Sequence, residues 1–289
     1  MRKNRKIILT ISCLLLGVPT LLAAQNTTRK AAPGEPGIIE HHESSGTLSS
    51  VDARPLLQAI DAISTEYGWV IDFEDPPYRS SFDLMDSTDP KWRADHPNEK
   101  GIRRIAGGPF QSSFPEPSSL VSGNAEEQVL QKIVSDYNSS GNPGRFVVRK
   151  EAEGRYAVIG AATKSEIGQD ETATVLLDTP ITIPVAHRSA YETLDIILKT
   201  LSSTAGVKVY ASLLSVNHIQ EPDIVVGGSN VPARALLLQA LDAANKHRII
   251  RWDLLFDPNM DAYALRVTAA SKAVTDDSGI KAKAFIDRK

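Results

Sequence analysis

LLQAIDAISTEYGWVIDFEDPPY, residues 56–78, is the stretch from which the fold is read. Leu56, Ile60, Ile63 and Tyr67 recur at the spacing of one helical stripe, and Asp52 with Pro55 supplies a start signal ahead of them. Gly68 stops the helix, because glycine alone takes the left-handed cap conformation at no steric cost. WVIDF follows at once as a strand whose alternation points Trp69, Ile71 and Phe73 to one face. Three carboxylates, Asp72, Glu74 and Asp75, then run into Pro76 and Pro77.

The same phrase occurs again as TLDIILKTLSSTAGVKVYASLL, residues 193–214. Placing Gly68 on Gly206 lays Leu56 on Leu194, Ile60 on Leu198 and Ile63 on Leu201, with Ser189 and Glu192 as a capping box for the second helix. The flanking pieces correspond as well. LVSGNAEEQVLQKIVSDYN (120–138) and VVGGSNVPARALLLQALDAAN (225–245) each read as a short strand, a turn, an Asn cap (Asn124, Asn230) and an amphipathic helix. RFVVRK-EAEG-RYAVIG (145–160) and IIRWDLLF-DPNMD-AYALRV (249–267) each read as a closing hairpin, with Phe146 against Trp252 and Tyr156 against Tyr263. The expected fold class is α+β: two similar small domains, each strand-helix-strand-strand-helix-strand-strand, with helices packed on small mixed sheets. The aromatics at matching strand positions, Trp69, Phe73, Phe146, Tyr156, Trp252 and Tyr263, are expected in the core.

The predicted boundaries follow. Residues 1–24 form a signal peptide, 25–47 a polar tether, 48–160 the first unit with an insertion at about 76–118, 161–177 a linker, 178–268 the second unit and 269–289 a tail. The leader is read from four basic residues in MRKNRK, followed by an apolar run broken by Gly17 and Pro19. It places the protein in the periplasm or outside the cell, with no integral membrane span once it is cleaved. The sole cysteine, Cys13, lies within the leader, so the mature chain has neither disulfides nor thiolate chemistry. The full chain has 32 basic and 35 acidic residues. Loss of the leader's four basic residues leaves 28 against 35, a net −7 that argues against nucleic acid or anionic lipid as partner.

The repeated unit, carried by LLQAIDAISTEYGWVIDF, TLDIILKTLSSTAGVKVY and NVPARALLLQALDAANKHRIIRWDLLF, resembles the short N-terminal domain shared by secretins and TonB-dependent receptors, the STN or N0 domain. The resemblance implies a unit without catalytic residues or cofactor that binds protein partners of the cell envelope or serves assembly and signalling. Two features depart from it. No long β-rich region follows that could form a barrel, and the first unit carries the insertion.

The acids set the candidate chemistry. Tyr210, Ser212 and Leu213 stand opposite Asp72, Glu74 and Asp75 in the second unit, so the shared fold does not require carboxylates there. Together with His96 they form a possible ligand or metal site, since converging carboxylates hold hard cations. On that basis the alternative function is a secreted hydrolase or a small-ligand or metal binder. The insertion lacks calcium-loop spacing, and no HExxH, GxSxG or phosphate-binding loop occurs. No catalytic residue is assigned. Gly107-Gly108 and Gly227-Gly228 are expected as turn residues with positive φ. For the leading function, an exported binding or assembly module, the expected contacts are sheet edges and the insertion, with Tyr78, Phe82, Trp92 and Phe110 as exposed aromatic anchors.

Overall fold

The computed structural model describes residues 36–120, 123–214, 223–275 and 281–288. The leader and the first part of the expected tether lie outside the described residues. The fold is α+β. β1 (Ile38–His41) and β2 (Ser45–Val51) precede α1 (Pro55–Tyr67) and β3 (Val70–Glu74). Next come β4 (Leu84–Asp86), α2 (Pro90–Asp95), β5 (Arg103–Ile105), β6 (Pro109–Pro115), α3 (Ala125–Ser139), β7 (Arg145–Ala152), β8 (Arg155–Lys164) and β9 (Asp170–Thr172). The remainder is β10 (Pro180–Arg188), α4 (Ala190–Ala205), β11 (Lys208–Leu214), β12 (Ile224–Pro232), α5 (Ala233–Ala244), β13 (Ile250–Asp257), β14 (Ala262–Ala269), β15 (Ser271–Thr275) and β16 (Lys281–Phe285). No helix among the described residues is long and apolar enough to cross a membrane.

The two helix-glycine-strand phrases fold as their residues dictate. Gly68 caps α1 at φ 74° and Gly206 caps α4 at φ 66°. Ser189 Oγ accepts the Glu192 amide 3.1 Å away, one half of the expected capping box. Asp52 instead accepts the amide of Arg54, the residue that precedes α1, in a local turn at 3.0 Å. Asn124 stands at the N-cap of α3, whereas Asn230 caps no helix. Asn124 has no side-chain cap bond, and Asn230 sits inside β12 at φ 56°.

The sheets differ from the expected pair of separate ones. A central sheet runs β11-β14-β13-β3-β8-β7, with β9 pairing β8 beyond the end of β3. β3 lies parallel to β8 and also parallel to β13, so one sheet crosses from the first half of the chain to the second. Smaller sheets flank it, β1-β2-β6 and β10-β12. The helices of the two halves take opposite faces of the seam. Arg251 on β13 bonds Asp61 of α1, whereas its neighbour Trp252 lies under Arg234 of α5. All of β3 is therefore buried, Ile71 and Phe73 among apolar neighbours and Asp72 and Glu74 on the other side.

Four further expectations are corrected. Residues 38–47 are not tether but belong to the β1–β2 hairpin, which runs on to Val51. Its inward positions include Ser50, whose hydroxyl bonds the Pro55 carbonyl at 2.9 Å, and such small polar residues hide a strand from a hydropathy reading. The tail contains the β15–β16 hairpin, and Lys272 of β15 lies against Gly68. A strand, β6, lies inside the supposed insertion ahead of α3, and the strand expected at 120–122 falls at 121–122 outside the described residues. PFQSSFP alternates Phe110, Ser112 and Phe114 inward. Gly108 and Gly228 do not have positive φ, and neither do Gly107 and Gly227. The latter two permit close approach, since a Cβ would come within 2.3 Å of the Ala53 carbonyl oxygen and 2.6 Å of the Val185 backbone.

Candidate functional site

The acids that follow Gly68 lie inside the protein, each held by an arginine from a different element. Asp72 is fully buried and accepts from Arg155 Nε at 2.8 Å, from Arg155 Nη2 at 3.1 Å and from the Trp252 amide at 2.9 Å. Arg155 Nη2 also donates to the Ile250 carbonyl at 3.0 Å. Glu74 accepts from Arg234 Nη2 at 2.5 Å and from the Leu177 amide at 3.1 Å. Asp75 accepts from Arg54 Nε at 2.7 Å and from the Phe256 amide at 3.0 Å, while Arg54 also donates to the Phe256 carbonyl. Burial pushes the Asp72, Glu74 and Asp75 carboxyls up, and Arg155, Arg234 and Arg54 respectively pull against it.

These bonds have a common purpose. The β3–β13 ladder pairs only Phe73 with Asp253 and Glu74 with Leu254. Beyond it the Trp252 and Phe256 amides of β13 have no strand partner on that side, and Asp72 and Asp75 accept them in its place. A second ring lies on the opposite face. Arg251 joins Asp253 at 2.9 Å and Asp61 at 2.8 Å, and Arg266 joins Asp253 at 2.7 Å and Asp61 at 3.4 Å. Burial opposes the Arg251 charge, but Asp253, Asp61 and Asp72 leave its pKa raised. The acid cluster is a staple across the seam.

His96, assigned to the same possible site, is elsewhere. It follows α2 and stacks on Trp92 with ring centroids 4.7 Å apart, and it is not a partner of Asp72, Glu74 or Asp75. No group of three His, Cys, Asp or Glu among the described residues is placed to hold a metal ion. The ligand or metal site expected from Asp72, Glu74, Asp75 and His96 is therefore not assembled.

The aromatic anchors separate into two kinds. Tyr78 and Phe110 are core residues, 2% and 3% exposed, which corrects the expectation that they face solvent. The double proline turns Tyr78 back beneath Gly144, and Phe110 occupies an inward β6 position, edge-on to Tyr137 at 5.3 Å. Phe82 is 58% exposed and lies against Gly168, beside Ile167 at 74%. Trp92 is half-buried on α2.

The insertion is ordered and docks on the second half. β4 and β5 pair, and Arg93 ties the loop between them to Asp86 and to the Glu99 carbonyl. Thr88, with Arg93, holds the Asp86 carboxyl down to about 2. Asn259, in the β13–β14 turn, accepts the Arg103 amide at 2.7 Å and donates to the Arg103 carbonyl at 2.8 Å, as a further strand would. Asn259→Ala should cost about 1 kcal/mol, mostly by freeing the hairpin, and the Arg103 amide should then exchange hydrogen faster than the β3 amides. Unchanged exchange at Arg103 would contradict this docking.

The arginines are the residues a sequence reading misses. Their signal was present all the same: Arg155, Arg251 and Asp253 interrupt otherwise apolar strands, and a charge on such a strand requires a partner. Compared with family models, with curated proteins and with solved structures, the chain has no match.

Proposed function

We propose that the chain is an exported, non-catalytic binding and assembly module of the cell envelope, periplasmic or secreted, built as a tandem of two STN-like units. The repeat is supported by pairing as well as by order. β2–β6 and β10–β12 are antiparallel, β3–β8 and β11–β14 are parallel, and β7–β8 and β13–β14 are hairpins. Equivalent serines late in α1 and α4 bond the following strand, Ser64 to the Trp69 carbonyl and Ser202 to Val209.

One observation carries the functional reading. Asp72, Glu74 and Asp75, the acids on which a hydrolase or metal binder would rest, are all committed to arginines and backbone amides of the seam. The first half also presents large apolar side chains to solvent, Phe82 with Ile167 and, at the insertion hairpin, Met85 and Ile102. A protein partner engaged there, or along a sheet edge, makes use of both features.

The test is capture from an envelope extract by the mature protein beside Phe82→Asp/Ile167→Asp. Both side chains are exposed, so the variant should melt within about 1–2 °C of the parent. Loss of a discrete partner from the variant supports the insertion surface. Equal capture moves the contact to a sheet edge, and capture of nothing by either protein overturns the reading.

A further inference from the structure

On the tandem reading above, on which this inference rests, β11 corresponds to β3 and β7 to β13. β3 and β13 are joined inside the molecule, while β11 and β7 are the two ends of the central sheet. We propose that these ends are complementary halves of an intermolecular seam, so that β7 of one copy runs parallel along β11 of a second copy and the chain assembles head to tail.

The open stretches correspond in sequence position, and β11 differs from β3 in a register shift against its neighbour between Ala211 and Leu213. In β3 the seam uses the Asp75 amide, which donates to the Leu254 carbonyl at 2.9 Å, within the register of Phe73 with Asp253 and Glu74 with Leu254. Just before that stretch the edge is closed by the preceding helix, where Ser64 Oγ donates to the Trp69 carbonyl at 2.7 Å. β11 is closed by the equivalent serine two residues further on. Ser202 Oγ accepts the Val209 amide at 2.8 Å and donates to the Val209 carbonyl at 3.2 Å, which leaves 211–213, the counterpart of 73–75, for a partner strand.

The other edge matches as well. In β13 the Trp252 amide needs Asp72. Its counterpart in β7, Phe146, is satisfied within its own unit, because the Asn138 carboxamide accepts the Phe146 amide at 2.9 Å and donates to its carbonyl at 2.8 Å. A β11 facing β7 therefore needs no acid where Tyr210 stands. Val148, two residues on, is the counterpart of Leu254. The charges along β7 are already engaged, Arg149 by Asp178 at 2.7 and 2.8 Å and Lys150 by Glu153 at 2.7 Å. Because the helices of the two halves lie on opposite faces and the new contact repeats the internal one, each added copy keeps the orientation of the last. The product is an open filament, not a closed ring. A short main-chain ladder without the acid staple makes a weak contact, of about 0.1–1 mM.

The seam register places Val148 opposite Ser212 of the next copy. In a Cys13→Ser background the chain has no other thiol, so Val148→Cys and Ser212→Cys can be mixed under mild oxidation at about 0.5 mM and compared with each variant alone. The mixture should give a disulfide-linked dimer carrying one of each variant, at least tenfold over either alone. Ser212→Cys dimerising by itself would indicate β11 paired with β11 of its twin, and would overturn the head-to-tail arrangement. No cross-link in the mixture overturns it too. Superposition of residues 45–160 on 180–267 in a crystal structure tests the tandem reading separately. Halves that superimpose in a chain that does not cross-link would sink this inference alone.

Discussion

Arg155→Ala should destabilise the protein by about 3–5 kcal/mol, because it leaves the buried Asp72 carboxylate without its counter-ion. At roughly 2–4 °C per kcal/mol for a chain of this size, the melting temperature falls by about 6–20 °C. Asp72 would keep one donor, the Trp252 amide, and the Ile250 carbonyl would lose Arg155 as well. The loss concerns the stranded charge more than a missing attraction. Asp72→Leu/Arg155→Leu, which removes both charges and keeps bulk, should therefore recover most of it, to within about 1–2 kcal/mol of the parent. Urea denaturation followed by near-ultraviolet circular dichroism at neutral pH reads both. A single variant within 1 kcal/mol of the parent would mean that Asp72 takes up a proton or water at little cost, and the staple would then be incidental to stability.

The parts of this fold that were legible are those written locally. Gly68 and Gly206 end their helices, the stripes Leu56, Ile60, Ile63 and Leu194, Leu198, Leu201 are buried, and the six aromatics assigned to the core lie there. Period and cap are encoded within a dozen residues. The seam is not local. Asp72 meets Arg155 across 83 positions, Glu74 meets Arg234 across 160 and Trp252 reaches Asp72 across 180. Nothing near Asp72 distinguishes a wet strand end from the middle of a sheet. Laying the two helix-glycine-strand phrases side by side did carry information, since the acids that follow Gly68 have no counterpart after Gly206. Those acids join the first half of the chain to the second. Tyr78 and Phe110 were misplaced because the insertion was read as beginning at the prolines, although the alternation of PFQSSFP already marked a strand.

Cutting the chain between residues 174 and 175 bears on the largest departure from a two-domain reading, and the expected result is that neither fragment folds alone. The first fragment would keep β3 with its edge exposed. Asp72 and Asp75 would lose the Trp252 and Phe256 amides, and Glu74 would lose both Arg234 and the Leu177 amide. α1 would lose the partners of Asp61, Arg251 and Arg266. The second fragment would expose β13, whose Trp252, Leu254 and Phe256 are fully or almost fully buried in the intact chain. Removing that shelter costs about 1.5–3 kcal/mol for each large apolar side chain, against a total stability of about 5–15 kcal/mol. Each fragment alone should give collapsed amide proton spectra and no cooperative melt. Mixed at equal concentration they should recover the dispersed spectrum and melt as one species, because the seam offers complementary ion pairs and a ladder to each. If instead each fragment melts cooperatively by itself, the units are independent domains and β3 with β13 is only where they dock.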